Sequence, residues 1–87
     1  MEVSKYIINF FKKKGVKNFF VFQGSNISHL INEIGRQKKC NYIVPHHEQS
    51  LSMQVDTMAR LNGYGVGMVT SGPGATNILT GVCSAYY

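Results

Sequence analysis

The run Phe19-Phe20-Val21-Phe22 constrains the fold more than any other stretch of the chain. It is apolar at every position, without the alternation of a strand that keeps one face wet, so both faces of its strand need covering, as in a parallel sheet. Two more short apolar runs follow, Asn41-Tyr42-Ile43-Val44-Pro45 and Val66-Gly67-Met68-Val69-Thr70, and helical patterns separate all three. From Ser4 to Lys14, Tyr6, Ile7, Phe10 and Phe11 mark one helix face, which Gly15 terminates. Ile27, Leu30, Ile31 and Ile34 mark a second helix, weakened near its end by Gly35. A third is predicted from about His47 to Leu61, with Leu51, Val55, Met58 and Leu61 on its apolar face and Asn62-Gly63 closing it. A fourth is predicted from Ala75 to about Tyr86.

A helix followed by strand and helix three times over predicts an α/β fold. It has three layers, a parallel β-sheet of about three strands flanked by about four helices, with right-handed crossovers. The last strand is expected to keep an unpaired edge. Three strands are few for such a sheet, so residues 1–87 read as part of a larger domain.

Composition narrows the function. With 87 residues, 44% of them hydrophobic and 15% charged, the chain is globular and not disordered. A body this size buries little more than ~60% of its unfolded surface. The net charge of +5 is concentrated in Lys12-Lys13-Lys14 and Arg36-Gln37-Lys38-Lys39. Both runs fall at expected helix C-termini, where cations complement the macrodipole. Exposed aromatics do not interleave with them, so nucleic acid is not an expected partner. Cys40 and Cys83 lack CxxC spacing and are expected to be buried, reduced thiols. No apolar run approaches the ~18 to 20 residues of a membrane span, and no secretory signal is recognisable, so the expected location is cytoplasmic.

In open α/β sheets, ligands bind beyond the carboxyl ends of the strands. Here those ends are Gln23-Gly24-Ser25, Pro45-His46-His47-Glu48 and Thr70-Ser71-Gly72-Pro73, three polar loops on one sheet edge. Gly72 and Gly74 allow close approach of backbone to a ligand, and the free N–H groups of the helix that follows can bind an acceptor. Glu48 lies in a first helical turn, where the dipole favours the carboxylate by ~0.3 to 1 kcal/mol, whereas burial at an interface would favour the neutral acid. His46 and His47 have no third ligand at useful spacing, so no metal site is expected. Gly63-Tyr64-Gly65-Val66-Gly67 precedes a strand instead of opening a helix, unlike a dinucleotide fingerprint. A Walker A lysine and a Gly-x-Ser-x-Gly elbow are both absent.

Pro45-His46-His47-Glu48-Gln49 to Ala59-Arg60, then Gly63, then Val69-Thr70-Ser71-Gly72-Pro73-Gly74-Ala75-Thr76-Asn77 with Thr80-Gly81 and Ala85-Tyr86, resembles the N-terminal pyrimidine-binding domain of thiamine-diphosphate enzymes of the acetolactate synthase and pyruvate oxidase type. The resemblance implies that Glu48 is catalytic. The family's glutamate hydrogen-bonds ring nitrogen N1′ of the cofactor's aminopyrimidine and promotes the imino tautomer that takes the thiazolium proton. It also implies cofactor contacts from Thr70, Pro73 and Asn77, and substrate contacts from Ser25 and Gln23. The turn after the first strand departs from the Val-Phe-Gly-x-Pro-Gly pattern usual in acetolactate synthases, and Gln23 and Ser25 are therefore expected to alter substrate choice. By the same resemblance, thiamine diphosphate is the cofactor, and its Mg2+ is bound by a diphosphate-binding domain that this sequence does not contain. That domain, from the same or another subunit of a homo-oligomer, is the expected partner.

The implied parent is a transferase or lyase acting on a 2-keto acid, and the 87 residues alone would supply one inactive wall of its site. Two other readings fit the residues. A silent half-domain could pair its open sheet edge with another chain, and a flavodoxin-like domain could bind phosphate at the Gly72 to Gly74 turn.

Overall fold

The computed structural model describes residues 2–87. In chain order it contains α1 (Val3–Lys13), β1 (Asn18–Val21), a 3-10 turn (Ser25–Ile27), α2 (Ser28–Arg36), β2 (Asn41–Ile43), α3 (Glu48–Asn62), β3 (Val66–Met68), α4 (Pro73–Thr76) and α5 (Leu79–Tyr86). The three strands form one parallel sheet in the order β2-β1-β3, with Phe19 opposite Tyr42 and Val66, and Phe20 opposite Ile43 and Gly67. The α/β architecture expected from the sequence is the one observed.

β1 occupies the centre, as its unbroken apolar run requires: Phe19, Phe20 and Val21 are all buried. Successive strand residues point to opposite faces. Phe19 and Val21 join Ile8, Val16, Ile27, Ile34, Val66 and Met68 in a core beneath α1 and α2. On the other face α3 packs on β1 and β3, and α5 packs on α3. Gly67 permits the close approach of α3 to β3, since a Cβ there would stand 2.7 Å from Leu51 Cδ2 and 2.9 Å from Val55 Cγ2. Gly65, just ahead of β3, and Gly67 within it thus make room for a helix.

Several expectations are corrected. The buried residue of α1 is Ile8, while Tyr6 and Phe10 are exposed and Phe10 sits edge-on to Phe11. Leu61 is 76% exposed, because the apolar face of α3 meets the sheet through Leu51 and the half-buried Val55. β2 is exposed along its length, being an edge strand with Tyr42 and Ile43 uncovered. β3 also pairs on one side alone, as expected for the last strand. Cys83 is exposed, not buried; Cys40 is half-buried, and both are free thiols. Burial pushes the Cys40 thiol above its ordinary value, with Lys12 lowering it and Glu33 raising it.

The expected final helix is interrupted. It starts at Pro73, two residues early, and breaks after Thr76. Asn77 and Ile78 take ψ angles near zero, −9° and −1°, tightening the turn before α5 resumes at Leu79. Asn77, the cap residue of α4, lies with its side chain at the start of α3.

Candidate functional site

Two helix starts face one another at the carboxyl edge of the sheet. α3 opens with His47 as its cap: the backbone is extended (φ −157°, ψ 152°) and Nδ1 accepts from the Gln49 N–H at 3.0 Å. Glu48 is therefore the first helical residue, where N–H groups without helical partners favour a carboxylate. α4 opens from Gly72, whose φ of 73° is a left-handed conformation suited to glycine, followed by Pro73 at the first helical position.

Glu48 and Asn77 meet between these starts. The Asn77 Nδ2 donates to Glu48 Oε1 at 3.3 Å, and the Glu48 side chain is only 15% exposed. His47 Nε2 lies 3.9 Å from the same oxygen, beyond hydrogen-bonding distance. Oε2 has no hydrogen-bond partner among the described residues. It faces Gly74, where an added Cβ would stand 3.6 Å from Oε2 and 3.1 Å from Thr70 Cγ2. Thr70, Gly74, Glu48 and Asn77 thus form one continuous surface.

The remaining candidates sit around this centre. Pro73 is exposed at the start of α4. Gln23 and Ser25 are exposed in the turn after β1, and neither is hydrogen-bonded by its side chain to Glu48 or Asn77. Their turn is nevertheless joined to the site. The backbone at Gly24 lies so close to Thr70 that a Cβ would overlap its side chain, and Asn26 Nδ2 donates to Ser71 Oγ at 2.6 Å.

Asn26 was not among the candidates read from the sequence, and His47, Gly24 and Ser71 entered there only as members of the strand-end loops, without these roles. Histidine falls outside the usual Ser, Thr, Asp and Asn caps, and the Asn26–Ser71 bond joins residues 45 apart. An open apolar groove of about 790 Å3 runs along Phe20, Met53, Met58 and Leu61 and reaches His47 and Gln49 on either side of Glu48, but Glu48, Thr70, Gly74 and Asn77 are not in its lining. Among the described residues, no three His, Cys, Asp or Glu side chains converge as a metal site would require.

The family of thiamine pyrophosphate enzymes, through their N-terminal TPP binding domain, matches residues 1–87 of this chain. The chain belongs to that family. It is 36% identical to the acetolactate synthase isozyme 3 large subunit of Escherichia coli over 74 residues, covering 84% of this chain and 13% of that protein. It is 34% identical to the acetolactate synthase large subunit of Lactococcus lactis over 84 residues, 95% of this chain and 15% of the relative. With the mitochondrial acetolactate synthase catalytic subunit of Aspergillus candidus it shares 41% identity over 69 residues, 78% of this chain and 10% of that one. The TPP-binding domain described here therefore spans a small fraction of the proteins it matches. Among its described residues no helix is long and apolar enough to cross a membrane.

Proposed function

We propose that the chain forms the aminopyrimidine side of a thiamine diphosphate site, with Glu48 holding and returning a proton at ring nitrogen N1′. The observation that carries this is the asymmetric Glu48 carboxylate, with Oε1 tied to Asn77 and Oε2 unpartnered against the Gly74 turn. These residues fit a flat, nitrogen-bearing ring. The free oxygen offers a proton partner, and the glycine keeps clear the space that a side chain would fill.

When bound, thiamine diphosphate supplies the carbanion chemistry, and the protein's part is placement and polarity. Glu48 exchanges a proton at its free oxygen. Thr70 lies over the Gly74 turn and helps shape the wall, while Pro73 rigidifies the start of α4. Gln23 and Ser25, on the turn latched by Asn26 and Ser71, face the substrate. Limited exposure of Glu48 strengthens its electrostatic contact with a bound ring, because fewer waters compete for the carboxylate.

The relatives support a reading of the larger assembly. We place the chain at the N-terminal part of a longer enzyme, a transferase or lyase of acetolactate synthase type acting on a 2-keto acid. A diphosphate-binding domain of the same or a second subunit holds the diphosphate and Mg2+ in a homo-oligomer. The apolar side chains Leu79 and Val82 on α5 are 58% and 51% exposed, which supports further chain packing against them. Two free thiols suit a reducing compartment such as the cytoplasm.

The test is E48Q in the full-length enzyme, assayed with a 2-keto acid. Loss of one proton-transfer group lowers turnover by roughly 10²- to 10⁴-fold. The circular-dichroism spectrum should remain that of the unsubstituted protein, and unchanged turnover would remove Glu48 from this role.

A further inference from the structure

We propose that Asn77 is a positioning residue that decides which oxygen of Glu48 exchanges the proton. Its amide holds Oε1, so the proton is carried on Oε2. This rests on Glu48 being the proton-exchanging group, and adds an atom-level device to that role.

The direction of the 3.3 Å contact follows from chemistry. A carboxylate only accepts, so the atom Asn77 presents must be its NH2 group. With Oε1 accepting, the oxygen that remains basic and open is Oε2, and it faces Gly74. In the transfer, the O–H bond at Oε2 breaks as an N–H bond forms at the ring nitrogen, leaving the negative charge on the carboxylate. That charge is shared with Oε1, where the Asn77 N–H stabilises it. On return of the proton, Oε1 becomes the carbonyl oxygen and keeps the same hydrogen bond, so neither side chain needs to turn. α4 itself sets Asn77 in place, because the Asn77 N–H still donates to the Pro73 carbonyl at 2.9 Å.

The groups around Glu48 make the device testable. From the β3–α4 turn Gly74 faces it, with Thr70 on the other side of that glycine, and Asn77 donates to it; all three are uncharged. His47 Nε2, 3.9 Å from Oε1, is an ionisable group on Glu48's own helix start. The chain has three glutamates, Glu2, Glu33 and Glu48. Labelling glutamate side-chain carboxyls with 13C therefore gives three resonances, and E48Q identifies the one from Glu48.

Two measurements follow, both without cofactor. In the unsubstituted chain, the side-chain amide resonances of Asn77 should shift with pH at the same midpoint as the Glu48 carboxyl; an amide that ignores this titration overturns the proposal. In N77D, a second carboxylate replaces the donor, and the Glu48 midpoint should rise by at least about one pH unit. The rise should persist in an H47N background, and an unmoved midpoint again overturns the proposal. Coupled resonances with turnover insensitive to E48Q would leave Asn77 holding Glu48 but sink the proton-exchange role itself. Uncoupled resonances with turnover abolished by E48Q would sink the Asn77 role alone.

Discussion

Replacing Gly81 by alanine sets two effects of opposite sign against each other. Within a helix, alanine is favoured over glycine by about 1 kcal/mol. Gly81, however, is the buried residue of α5 at its contact with α3. A Cβ there would overlap the Ser52 side chain and stand 2.9 Å from the Ser52 carbonyl carbon. A side-chain tip can rotate aside, but a backbone carbon in mid-helix moves only with its helix. Overpacking of this kind costs about 1 to 3 kcal/mol, and the backbone clash puts Gly81 at the upper end. The net loss is about 2 kcal/mol, or roughly 8 to 16 °C in Tm for a domain of this size. Gly35 in α2 provides the control, since a Cβ there meets nothing within 4 Å. Its alanine variant gains the helix preference without the clash and should be stabilised by about 0.5 kcal/mol. Thermal melts followed by circular dichroism decide between the effects. Ser52 lies one turn beyond Glu48, so G81A should also push Asn77 away from Glu48 and weaken thiamine diphosphate binding, whereas G35A should not. A G81A melting temperature equal to or above that of the unsubstituted chain would refute the packing argument.

The thiols and the turn latch give two further expectations. At pH 8, iodoacetamide should modify exposed Cys83 well before Cys40, as peptide mass spectrometry would show, and equal rates would contradict the burial of Cys40. Because burial raises the Cys40 value in the folded state, the native protein keeps that proton where the unfolded thiol, with an ordinary value of 9.0, has begun to lose it. This contribution to stability is complete below pH 9 and is lost as pH rises through the raised native value, and C40A should remove that part of the pH dependence. N26A breaks an exposed hydrogen bond and should cost no more than about 1 kcal/mol. It should alter KM for the keto acid more than affinity for the cofactor, and the opposite pattern would place the turn against the cofactor instead.

The architecture was legible because the Phe19 to Phe22 run has one physical solution, a central parallel strand, and the helical stripes between the apolar runs supply its cover. Helix faces were less legible. Tyr6 and Phe10 share a period with Ile7 and Phe11, yet periodicity alone does not show that Ile8 is the residue turned into the core. Leu61 fits the stripe of α3 but lies at the end of the helix, away from the contacts of Leu51 with the sheet. Of the site, Glu48 and the Ser71 to Asn77 block could be seen as polar loops at strand ends. Invisible in the sequence were the break after Thr76 and the pairing of Asn26 with Ser71, since both depend on contacts between distant segments. The packing of α4 against the start of α3 makes Asn77, one of several polar residues in a helix start, the partner of Glu48.

A crystal structure of the full-length enzyme with thiamine diphosphate tests the central claim most directly. The distance to measure is from the Glu48 carboxylate to ring nitrogen N1′. Oε2 should lie about 2.6 to 3.2 Å from that nitrogen, with Oε1 still bonded to Asn77 and the ring against the Gly74 turn. An aminopyrimidine bound away from α3, or a Glu48 carboxylate more than about 4 Å from N1′, would contradict it.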